Sequence, residues 1–133
     1  MKHIALILAG AALALTATAA TASTTSERGE ARLARMLEGR TAGTPVSCID
    51  TLGDSARMQV IDEVAVVYNA GKTIYVARPT DPHMLGPNDA IVMNRFSPSR
   101  LCVQESMRTI DRNDGYTTGV LFLRDFVPYT KKG

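Results

Sequence analysis

The chain has 133 residues, with 15 Lys and Arg against 13 Asp and Glu, for a formal charge of +2. Charge this close to balance argues against general nucleic-acid or anionic-membrane binding, which both need clustered positive charge. Hydrophobic residues make up 45% and charged residues 21%, so the chain is not disordered, and its length suits one domain rather than two.

Residues 1–22 read as an export signal. Lys2 and His3 form a short basic start, and Ile4 to Leu15 follow without a charge. About 12 apolar residues suit a signal core, whereas a membrane span needs about 20. Ala20-Thr21-Ala22 fits the small-residue cleavage rule, with Ala17-Thr18-Ala19 as a second cut. The expectation is a protein of the periplasm or the cell exterior, with no stable membrane insertion after cleavage near Ala22.

Residues 23–44 read as a flexible leader with a short helix from Glu27 to about Glu38. Thr24 and Glu27 have capping-box spacing, Leu33, Met36 and Leu37 form a narrow apolar stripe, and Gly39 is a natural stop. Arg28, Arg32 and Arg35 share another face, which Glu27, Glu30 and Glu38 balance as a solvated surface.

Residues 45–133 read as a single β domain. Cys48 and Cys102 are its two cysteines. An even count in an exported chain is read first as a disulfide, with two buried free thiols as the alternative. The pair lacks the C-x-x-C spacing of a redox site. A bond between them would close a loop of about 55 residues, for which the chain-entropy treatment gives about 4 kcal/mol as an upper figure.

Arg57–Ile61, Val64–Tyr68 and Lys72–Arg78 read as a three-stranded meander with turns at Asp62-Glu63 and Asn69-Ala70-Gly71. Val64, Val66 and Tyr68 are expected on one face, with Ala65 and Val67 on the other. The Pro-rich stretch from Pro79 to Asp89 reads as a loop. Ala90–Phe96, Met107–Asp111 and Gly119–Leu123 read as strands, and a helical turn is expected at Leu101-Cys102. Phe126–Tyr129 reads as an edge strand because Pro128 lacks an amide donor. The connections are too short for parallel crossovers. The expected fold is therefore mainly β: a small antiparallel sheet of six to seven short strands, curled into a sandwich or partly open barrel, with one N-terminal α-helix.

The sequence offers no convincing catalytic, cofactor-binding or metal site. His83 is the one histidine left after the signal, and zinc or blue copper needs two or three His or Cys ligands. His83-Met84 carries a copper reading, against which Met58, Met93 and Met107 read as core filler. Asp111–Gly115 opens like a calcium loop, but Gly115 is fifth and Phe122 stands where the pattern needs Glu. Asp62/Glu63 and Asp50/Asp54 are the paired carboxylates, and Asp62 and Glu63, as neighbours on a strand, would point to opposite faces rather than form a dyad. Ser55, Ser99 and Ser106 lack the glycines of a nucleophile elbow.

Cys48-Ile49, Val60-Ile61-Asp62, Leu101-Cys102, Arg108-Thr109-Ile110-Asp111 and Asp125-Phe126-Val127-Pro128-Tyr129 occur in this order. Over roughly positions 46–129 the chain resembles an uncharacterised family of small exported proteins of Gram-negative bacteria, classed as a domain of unknown function. Gln104-Glu105 stand where that family carries Gly-Asp, and the further cysteines of many relatives are absent. The resemblance implies export and a compact, mainly β domain, and implies no reaction. The expected role is a non-enzymatic module binding a periplasmic protein or envelope component, with no nucleic acid. The alternative is a small periplasmic hydrolase or metal-binding protein in which His83, Asp81 and an acidic or Ser residue converge.

Overall fold

In a computed structural model that describes residues 21–51 and 57–132, one helix packs on antiparallel sheets. The apolar run Ile4–Leu15, read above as a signal core, lies outside the described residues, as do Asp54 and Ser55. The helix, α1, spans Thr25–Met36. Its capping box is complete: the Thr24 hydroxyl accepts from the Glu27 amide at 3.1 Å, and the Glu27 carboxylate accepts from the Thr24 amide at 2.7 Å. Gly39, at φ 71°, then turns the chain into the first strand.

Ten strands follow among the described residues: β1 Arg40–Ala42, β2 Cys48–Asp50, β3 Met58–Ile61, β4 Ala65–Asn69, β5 Thr73–Ala77, β6 Asp89–Met93, β7 Arg100–Cys102, β8 Met107–Asp111, β9 Thr117–Leu121 and β10 Val127–Lys131. They form a five-stranded sheet in the order β1-β10-β5-β4-β3, a two-stranded sheet β2-β7 and a three-stranded sheet β6-β8-β9. The expected mainly β, antiparallel architecture with one N-terminal helix is observed. The strands outnumber the six or seven expected because several are only three residues long, and the sheets do not close into a barrel.

The meander is β3-β4-β5, and its alternation divides the core in two. Val66, Tyr68 and Ala77 face one cluster with Ile49, Leu85, Leu101, Met107, Leu121, Leu123 and Phe126. Ala65, Val67, Ile74 and Val76 face the other, where Leu33 of α1 meets them. The five-stranded sheet is thus a middle layer between the helix and the two smaller sheets. Val64 departs from the expected face. It sits in the turn, where Glu63 adopts φ 59° and the Val64 amide donates to the Ile61 carbonyl, and it packs on the helix side.

Two expectations are corrected. Leu101 and Cys102 belong to β7 rather than a helical turn, because Arg100–Cys102 pair residue by residue with Asp50–Cys48. The last strand is not an edge. β10 lies between β5 and β1, in the stretch read as a leader. Pro128 is tolerated there because its missing donor falls just beyond the end of β1, where Gly43 donates to its carbonyl at 2.7 Å.

Cys48 and Cys102 form a disulfide, and their Cα atoms are 4.0 Å apart. Backbone bonds from Thr51 to Ser99 and from Val103 to Ser47 flank the pair, so it occupies a non-hydrogen-bonded site, where facing Cα atoms approach most closely. Replacing both cysteines by Ala is expected to lower the unfolding free energy by about 2–4 kcal/mol. Urea denaturation with and without reductant checks this, since reductant should shift the native protein and leave the variant unmoved.

Gly29 marks the closest approach of helix to sheet. A Cβ there would lie 2.6 Å from Val64 Cγ2 and 3.1 Å from the Asp62 carbonyl oxygen. Gly29→Ala is expected to destabilise the fold by about 1–3 kcal/mol, although Ala is the better helix former. A matched substitution at exposed Arg35, measured by the same urea titration, should cost far less.

Candidate functional site

The residues of the hydrolase and metal readings do not assemble. His83 lies exposed on a 3₁₀ turn, Pro82–Met84, and Asp81 uses its carboxylate to accept from the His83 amide at 3.0 Å. Met84 is half-buried against the larger core cluster, and Met58 and Met93 pack there too. Met107 is buried outright. Among the described residues, no three His, Cys, Asp or Glu side chains gather in metal-binding geometry. Asp111 is spent on the hairpin turn, where one carboxylate oxygen accepts from Asn113 at 2.7 Å and Asp114 at 3.1 Å. Gly115 completes that turn at φ 73°. Ser99 and Ser106 are both exposed.

Three clefts border the helix and the five-stranded sheet. The first, about 260 Å³, lies between Arg28, Arg32 and Asp62, but Arg28 already donates to the Ser23 carbonyl and Thr25 hydroxyl, and Arg32 to the Gln59 side chain. The second, about 300 Å³, is crossed by the ion pair of Arg78 with Glu30, a two-toothed contact at 2.6 and 3.2 Å. Hydrogen bonding to Glu30 holds the Arg78 guanidinium above its ordinary pKa, against the opposing pull of partial burial. Both partners are about half exposed, so the pair contributes little stability. Arg78 stays charged at every working pH. The third cleft, about 110 Å³, lies between Val76, Arg124 and Tyr129.

A different surface stands out. In the β6-β8-β9 sheet, Met107 pairs with Leu121 and Thr109 with Gly119 on the inner side. Val92, Arg108 and Val120 form the next row on the outer side, followed by Ala90, Ile110 and Thr117. Phe122 continues the outer side of β9. Val120 is 54% exposed, Phe122 65% and Phe96, beyond the end of β6, 92%. Val120 and Phe122 leave large apolar side chains open on one sheet face, with Phe96 exposed on the loop three residues past β6, and open apolar groups of this kind mark an interaction surface.

Phe96 is presented by a braced loop. The carboxylate of buried Glu105 accepts from the Phe96 amide at 3.2 Å and the Cys102 amide at 3.4 Å. Arg95 donates to the hydroxyl of fully buried Thr51 and to the Arg100 carbonyl, and Thr51 accepts at its own carbonyl from the Tyr68 hydroxyl at 2.7 Å. The loop therefore hangs from the middle layer through a chain of hydrogen bonds. Sequence reasoning did not single out this face. Gly119-Val120-Leu121-Phe122-Leu123 reads as a strand, and its continuous apolar run signals burial on both sides, but only the inner side is covered.

Glu105→Ala would leave both amide donors without an acceptor and is expected to cost about 1–3 kcal/mol, with Glu105→Gln costing less because one carbonyl oxygen remains. Urea titration of the two variants checks the order. No family model matches the chain, and neither does any curated protein or solved structure.

Proposed function

We propose that this protein is an exported, non-enzymatic interaction module that docks a component of the bacterial envelope on the outer face of the β6-β8-β9 sheet. The observation that carries this is the pair Val120 and Phe122, open to solvent on one side of a sheet whose other side is core, with exposed Phe96 on the loop that leaves β6. The export signal read at residues 1–22 and the Cys48–Cys102 bond support an oxidising compartment, periplasmic or external. The hydrolase and metal alternative rests on His83, which is exposed and joins no group of three His, Cys, Asp or Glu side chains among the described residues.

The test is site-specific photocrosslinking in intact cells. A photoreactive phenylalanine analogue at Phe96 is expected to form adducts that Phe122→Ser abolishes, while the same analogue at exposed Arg35 forms none. Equal labelling from both positions, or no adduct at Phe96, would sink the reading. Fractionation should place the shortened, disulfide-bonded chain with periplasmic markers, and full-length reduced chain in the cytosol would refute export.

A further inference from the structure

We infer that the docked component is an anionic phospholipid surface, bound peripherally by the outer face of β6-β8-β9, an inference that rests on the interaction-module reading above. The face combines two kinds of group. Phe122 and Val120 stand out from it as apolar side chains, and Phe96 is exposed on the loop that leaves β6. Arg108 lies at its centre between Val92 and Val120, and Arg112 follows two residues past Ile110 on the same alternation. Among the described residues, neither guanidinium makes a hydrogen bond or ion pair.

The outer positions of the three strands carry no carboxylate. The strand acids Asp89 and Asp111 pair opposite one another on the inner side. Asp89 is held by the Gly86 amide at 2.8 Å and the Thr118 hydroxyl at 2.9 Å, and Asp111 by its turn amides. A net charge of +2 therefore conceals a local asymmetry. Two arginines are too few to hold an anionic surface alone, so the apolar side chains must share the work, as they do at a headgroup boundary.

Two other occupants fit less well. Packing a second copy face to face would set Arg108 and Arg112 against their own counterparts with no acid to balance them. A peptide partner would leave the two arginines unpaired unless it carried acids, whereas an anionic bilayer supplies the negative charge throughout. Exposed apolar side chains beside unpaired arginines suit a bilayer interface.

The experiment is sedimentation of the purified, disulfide-bonded mature chain with vesicles of phosphatidylcholine alone or with one-third phosphatidylglycerol. Wild-type protein is expected to sediment with the anionic vesicles, much less with the neutral ones, and less as salt is raised. F96S/F122S is expected to weaken that binding by about tenfold or more, and R108Q/R112Q by roughly tenfold, with the faint neutral-vesicle binding unchanged by the arginine pair. All four positions are exposed, so both variants should keep the native urea midpoint. Wild-type protein left in the supernatant, equal binding to both vesicles, or undiminished binding by either variant would overturn the lipid assignment. If vesicles fail while the probe at Phe96 captures a protein, only the lipid assignment falls. If the probe also captures nothing, the interaction-module reading falls with it.

Discussion

The double-sided burial of β4 is the constraint on which the other elements depend. Ala65 and Val67 face the helix while Val66 and Tyr68 face the smaller sheets, and all four are buried. A strand buried on both faces requires a layer on each side. On one side α1 supplies it, seated closely because Gly29 has no side chain to hold it off. On the other side the cover comes from two small sheets, one of which, β2-β7, has a three-residue pairing that alone would barely sustain it. The Cys48–Cys102 bond locks that sheet in register.

From Tyr68 outward the molecule is tied by polar contacts. The Tyr68 hydroxyl reaches the Thr51 carbonyl, Arg95 reaches the Thr51 hydroxyl, and Glu105 closes the loop over the disulfide strand. Each contact satisfies a group that burial would otherwise leave costly. Together they hold the backbone beneath Phe96 in place while its side chain stays in solvent. An exposed aromatic on a fixed loop loses little freedom when it meets a surface, which favours binding over an equally exposed residue on a floppy segment.

Much of the fold was legible because its signals are local. The Thr24–Glu27 cap, the meander alternation and the Asn69 and Asp111 turns each lie within a few residues of sequence. What escaped was set by distant partners. Arg40-Thr41-Ala42 has no strand pattern and is a strand only because β10 pairs with it. Arg100–Cys102 follows a Ser-Pro-Ser break and is straightened by β2. Pro128 looked like an edge signal because sequence does not reveal that β1 stops short of it. The outer face was hidden for a related reason: the apolar run at 119–123 announces burial, and only the layer count shows that one side was left bare.

The irregularity in the β8-β9 ladder has a bearing on solubility. The pairing slips between Thr109 and Ile110, so Thr118 is the extra residue on β9, and its hydroxyl bonds to Asp89 and Thr109 on the inner side. β9 is also the terminal strand of its sheet, beside Val120 and Phe122, an arrangement that invites chains to stack edge to edge into fibrils. A bulge bends and twists the strand that carries it, which shortens the straight template a neighbouring chain can copy. The bulge at Thr118 thus interrupts the one stretch of open sheet edge that runs beside Val120 and Phe122 among the described residues of this sheet.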